Sequence, residues 1–201
     1  MKFELSAVSL LPLLAAAAPA IQARDTQASA FTVTASHSGS SIHLLPMEAA
    51  GQYFWLGGNA STYCPENVAN CPAGTETVFA PGGGALDVEV PGGQKIYVDP
   101  SGALRFTQAH SANIPAGSSQ GPFTYTAGNP FGKYTYDGEG AKGWMACPLQ
   151  NKVKGQLIYQ VFVNMPNAKP PTGKVEDCIG FDALAKPYES KNNTAAAWQY
   201  I

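Results

Sequence analysis

Lys95-Ile96-Tyr97-Val98-Asp99-Pro100-Ser101-Gly102-Ala103-Leu104-Arg105-Phe106-Thr107-Gln108 is the stretch on which the fold turns. Ile96 and Val98 alternate with Tyr97, and Leu104 and Phe106 alternate with Arg105 and Thr107. This period of two belongs to half-buried strands. Between the runs, Pro100 is preset for the second position of a tight turn and Gly102 is free to take positive φ. The stretch predicts a β-hairpin.

The same grammar extends in both directions. In Leu86-Asp87-Val88-Glu89-Val90 the aliphatic residues share one face and the acids the other, which predicts a half-buried strand. Leu157–Val163 is apolar except for Gln160, and Tyr53–Leu56 is similar; both predict strands buried on two faces, with Trp55 in the core. Trp144 lies near Cys147 and is expected to pack on a disulfide. Gly and Pro punctuate nearly every interval, and no segment sustains apolar residues at helical spacing over three turns. Short helical turns are expected at most over 182–186 or 194–198. The expectation is an all-β, disulfide-bonded single domain of about ten to twelve short antiparallel strands, a sandwich or a barrel, with a trefoil-like barrel as one form.

The N-terminus carries a different signal. Lys2 precedes an apolar run from Leu5 to Ala18, and Ala18-Pro19-Ala20 supplies small residues before a cut. This predicts a secretory signal peptide over residues 1–20 and a secreted β domain over 21–201. The run is shorter than a bilayer span, and the C-terminal residues lack the hydrophobic tail of a GPI signal. No membrane partner is expected. With 12 Lys and Arg against 14 Asp and Glu, and no basic stripe, nucleic acid is not an expected partner either.

Four cysteines in an exported chain read as two disulfides. Of three possible pairings, the short Pro-flanked loop favours Cys64 with Cys71, leaving Cys147 with Cys178. No C-x-x-C pair is present, and the spacing does not suggest zinc. Asn59-Ala60-Ser61 and Asn192-Asn193-Thr194 are acceptors for N-linked glycosylation, expected at the surface.

Chemistry-bearing motifs are sparse. Gly117-Ser118-Ser119-Gln120-Gly121 satisfies the G-x-S-x-G pattern of a nucleophile elbow, but Pro115 before it and Pro122 after it do not supply a strand and a helix. His37, His43 and His110 form no metal-binding spacing. Asp87 and Glu89 stand about 7 Å apart along one strand, a separation seen between glycosidase carboxylates, yet the pattern is also that of an ordinary solvated face. Asp137-Gly138-Glu139-Gly140 reads as a turn and falls short of a calcium loop. No catalytic residue, metal ligand or cofactor site is assigned. Trp55, Trp144, Trp198 and the nine tyrosines leave a carbohydrate-binding surface as an alternative.

Ser38–Gly58 (SGSSIHLLPMEAAGQYFWLGG), Lys95–Gly117 (KIYVDPSGALRFTQAHSANIPAG) and Gly143–Pro148 (GWMACP) resemble the PhiA family of filamentous fungi, secreted cell-wall proteins also called phialide development proteins. The resemblance spans essentially the whole mature chain in the same order. It implies a non-enzymatic protein of the fungal cell wall that contributes to phialide and conidium formation and to stress protection, with wall polysaccharides or wall proteins as partners. It carries over no catalytic or ligand residues and no cofactor.

Overall fold

The computed structural model describes residues 29–150, 155, 157–190 and 194–201. The signal-peptide expectation for residues 1–20 lies outside these, as does Asn192. Thirteen strands are present among the described residues: β1 (Phe31–Ser36), β2 (Met47–Ala50), β3 (Tyr53–Leu56), β4 (Thr62–Tyr63), β5 (Ala85–Leu86), β6 (Gln94–Val98), β7 (Leu104–Phe106), β8 (Phe123–Thr126), β9 (Gly132–Tyr136), β10 (Trp144–Pro148), β11 (Tyr159–Val163), β12 (Ile179–Pro187) and β13 (Gln199–Tyr200). One 3-10 turn, Val175–Asp177, precedes β12. The fold is all-β.

The hairpin forms as its sequence dictates. β6 and β7 pair with Tyr97 opposite Arg105. Asp99 holds the turn: its Oδ1 accepts the N–H groups of Ser101 at 2.8 Å and Ala103 at 3.2 Å. Gly102 sits at φ +88, where a Cβ would lie 3.3 Å from the carbonyl oxygen of Val163. Left-handed backbone and a close approach coincide there, and glycine meets both demands.

The main sheet curls back on itself. β1 pairs with β12, β12 with β10, β10 with β11, β11 with β3 and β3 with β2, all antiparallel. The circuit returns to β1 through the Thr34–Pro46 bridge and the bond from Ala35 N–H to Leu45 O at 2.9 Å. Phe79 then links Phe31 of β1 to Leu86 of β5, tying in the β5-β6-β7 flap. The curl covers the edges of β1 and β2, while β8, paired among the described residues with β9 alone, remains an edge strand.

Alternation sorts the two faces. Phe31, Val33 and Ala35, then Phe54 and Leu56, Val161 and Val163, Trp144 and Ala146, and Phe181, Ala183 and Ala185 all enter one core. Aromatic rings run through it in sequence. Trp144 stacks on Tyr134 at 5.4 Å, Tyr134 meets Phe79 at 5.0 Å, Phe79 meets Phe54 at 5.4 Å, and Phe54 meets Phe106 at 5.6 Å. Each such pair adds about 0.5–1.5 kcal/mol beyond burial. On the opposite face Met145, Cys147, Phe162 and Ala103 form a second, smaller cluster.

Several local expectations are corrected. Trp55 is not core: with Tyr53 it faces outward and is half-buried, while Phe54 and Leu56 point in. Trp144 does not pack on the disulfide, because the alternation along β10 places Cys147 on the other face. The 86–90 stretch is a strand only over Ala85–Leu86; Val88 instead makes a parallel bridge to Ala197. The 157–163 strand begins at Tyr159, and Leu157 is 44% exposed. Residues 182–186 are not helical but lie inside β12, where buried Phe181, Ala183 and Ala185 alternate with outward residues. Pairing on both edges outweighs the helix preference of Ala, Leu and Lys.

Candidate functional site

The cysteines occupy two different settings. Cys64 bonds to Cys71 across a seven-residue separation in an exposed loop, and Cys147 bonds to Cys178 across 31 residues. The second bond pins the 3-10 turn region against the outer face of β10, where Val175 and Cys178 pack on the smaller cluster. Asn59 is exposed just beyond β3.

The motif residues do not converge. Ser119 bridges Val98 through paired backbone bonds of 2.8 Å, and its Oγ donates to the carbonyl of Gly121 at 2.8 Å. The serine closes a local turn. His110 is exposed, at φ 59, and lines an opening of about 430 Å3 with Lys95 and Gly93. His37 and His43 do meet, since the backbone N–H of His37 donates to His43 Nδ1 at 3.3 Å, while the His37 ring contacts the carbonyl of Gly180. Among the described residues, no group of three or more His, Cys, Asp or Glu is placed to hold a metal ion.

Asp87 and Glu89 have separate environments. Asp87 is half-buried and its Oδ2 accepts the N–H of Ala196 at 3.1 Å, whereas Glu89 is exposed. Burial pushes the Asp87 carboxyl above its ordinary value of 3.8. Asp137 accepts the hydroxyls of Thr124 at 3.0 Å and Thr135 at 3.2 Å, which ties its carboxylate to the hairpin of β8 and β9.

Among the described residues four openings, of about 400, 510, 430 and 490 Å3, are large enough for a small ligand. The first, about 400 Å3, lies at a fork. β12 pairs with β10 over Ile179–Phe181 and with β9 over Leu184–Ala185, so these partners separate beside Asp182 and Ala183. Lys133, Tyr136, Asp137 and Trp144 line the resulting cleft, and Trp144 Nε1 donates to the Tyr134 carbonyl at 2.8 Å. The second, about 510 Å3, lies at the barrel end between Leu45, Pro46, Gly57, Gly58, Leu157 and Tyr159.

Other features escaped sequence reading. The Arg105 guanidinium lies 4.2 Å from the Tyr53 ring centre and its Nη1 is 3.6 Å from Asp99 Oδ2, forming an outer-face stack. Glu48 is buried on β2, where its Oε2 accepts the Thr77 N–H at 2.9 Å and Thr77 Oγ1 accepts the Ala49 N–H at 2.7 Å. Desolvation raises the Glu48 carboxyl above 4.5. Tyr53 and Arg105 both stand at outward positions of their strands, a signal that alternation contains; nothing local marks Glu48, whose partner is 29 residues away.

Together these features define a disulfide-bonded, curled antiparallel β scaffold with surface openings. Residues 31–201 match the family described as PhiA-like secreted protein, and the chain belongs to that family. It is also 49% identical to a secreted protein of Arthroderma benhamiae described as uncharacterized, over 100% of both chains. It is a secreted protein. No solved structure matches it.

Proposed function

We propose that the protein is a non-enzymatic component of the fungal cell wall that contributes to phialide and conidium formation and to stress protection. The observation that carries this reading is how the reactive side chains are used. Ser119, His110, Asp87 and Asp137 are each engaged in separate local contacts or left apart at the surface. A hydrolytic site needs a nucleophile, a base and its orienting group within hydrogen-bond reach. What the chain builds well is a scaffold: a ring of paired strands, an aromatic interior and two crosslinks. Such a part suits a wall exposed to drying and heat.

A deletion strain tests the reading, with conidial yield and conidial heat survival both expected to fall. Normal conidiation and normal survival would contradict it. The fork cleft favours a second reading as a carbohydrate-binding module, because charged Lys133 and Asp137 border the aromatic Tyr136 and Trp144 there. Retention of the pure protein on chitin or β-glucan, lost in a Tyr136→Ala variant, would promote that reading over the first.

A further inference from the structure

We propose that the groove at the barrel end seats the chain's own N-linked glycan, carried by Asn59. The groove opens where β3 runs out. Gly57 and Gly58 form one lip, and Asn59 is the next residue, about 3.8 Å on by Cα spacing. Asn59 is exposed and its sequon is intact, with Ser61 at the third position.

The lining suits the first sugars of such a glycan, which are a pair of N-acetylglucosamines. Leu45, Pro46 and Leu157 offer apolar surface for sugar C–H faces and the acetamide methyl. At one side the Ser41 and Tyr159 hydroxyls lie 2.7 Å apart, offering a donor and an acceptor to the acetamide. Gly57 keeps the groove open: a Cβ there would sit 3.2 Å from the Leu157 carbonyl and 3.6 Å from Leu45 Cδ1.

Exposure at this end also calls for a cover. Leu157, in the lining of the groove, is 44% exposed. The competing perch is Trp55, but its Nε1 is already engaged, donating to Ala50 O at 2.8 Å across the β2–β3 hairpin. Attachment one residue from the groove supplies an effective concentration in the millimolar range or above, so a contact that free sugar makes only at millimolar concentration becomes a standing one.

The test uses full-length protein secreted by yeast as an Asn192→Gln variant, so that Asn59 is the remaining acceptor. Mass spectrometry reads occupancy, and methyl NMR follows Leu45 and Leu157 with Leu104 as an interior control. Trimming to one N-acetylglucosamine, which leaves the first of the two seated sugars, should move the Leu45 and Leu157 resonances only part of the way. Complete removal should shift both and leave Leu104 unmoved, and millimolar free chitobiose should move them back. An unoccupied Asn59, or Leu45 and Leu157 resonances indifferent to complete removal, would overturn the proposal. Neither result bears on whether the protein resides in the wall.

Discussion

Gln94 and Tyr200 clasp each other in the interior. The Tyr200 N–H donates to Gln94 Oε1 at 2.8 Å, and Gln94 Nε2 donates to the Tyr200 carbonyl at 2.9 Å. Gln94 Nε2 also reaches the Thr107 carbonyl at 3.0 Å, and Gln94 is 0% exposed. One amide therefore joins the C-terminal strand to the β6–β7 hairpin, 106 residues away. The tail is held along its length: Ala197 O accepts the Glu89 N–H at 3.1 Å, and the Ile201 N–H donates to Ser61 O at 2.8 Å.

Replacing Gln94 with leucine keeps the volume but strands the Tyr200 N–H and carbonyl. Each buried orphan costs about 1–3 kcal/mol. Gln94→Leu should therefore lower stability by about 2–5 kcal/mol in urea denaturation. Tyr200→Phe should cost less, about 1–2 kcal/mol, because it removes one hydroxyl that donates to Glu76 O at 2.8 Å and accepts from the Val78 N–H at 3.1 Å.

Phe79 is the pivot of the aromatic interior. It is fully buried, stacks on Phe31 at 5.3 Å, and touches Phe54 and Tyr134 as well. Phe79→Ala should cost about 3–5 kcal/mol. Phe131→Ala, at a site 50% exposed, should change stability by less than about 0.5 kcal/mol in the same assay.

The two crosslinks should differ in effect. A Cys147→Ser, Cys178→Ser double variant frees a 31-residue separation and should lose about 3–4 kcal/mol, against about 2–2.5 for the seven-residue Cys64–Cys71 loop. The first also places a serine hydroxyl where the Cys147 sulfur is fully buried, which adds to its cost. Thermal unfolding of the two double variants under oxidising conditions reads the difference.

Burial holds the Glu48 and Asp87 carboxyls above their ordinary values of 4.5 and 3.8. The folded chain thus keeps these protons to higher pH than the unfolded chain does. Their contribution is complete below the ordinary values and is lost as pH rises through the raised ones. Stability from these two groups should fall from the ordinary carboxylate range toward neutrality, and Glu48→Gln with Asp87→Asn should flatten that fall. Both replacements retain an oxygen for the Thr77 and Ala196 N–H groups. Unfolding midpoints across that pH range check the slope.

The period-two reading of the β6–β7 stretch anticipated the hairpin down to its turn, because Asp99, Pro100 and Gly102 act within a few residues of one another. Strand content was legible for the same local reason. One misreading breaks a local rule, and the others concern positions decided at long range. Trp55 looks interior because its neighbours are apolar, yet alternation sends it outward. Residues 182–186 favour helix locally and become strand because β1 and β9 flank them. The fork cleft was not legible at all, since it arises where β12 changes partner from β10 to β9. The clasp of Gln94 on Tyr200 is hidden likewise, as nothing near Gln94 announces a C-terminal partner.

Fractionation of conidiating cultures with an antibody to the protein tests the central claim most directly. The account predicts a pool that stays with washed walls and is released by hot detergent with reductant, alongside a pool in the medium. Absence from washed walls, with all of the protein free in the medium, would contradict it.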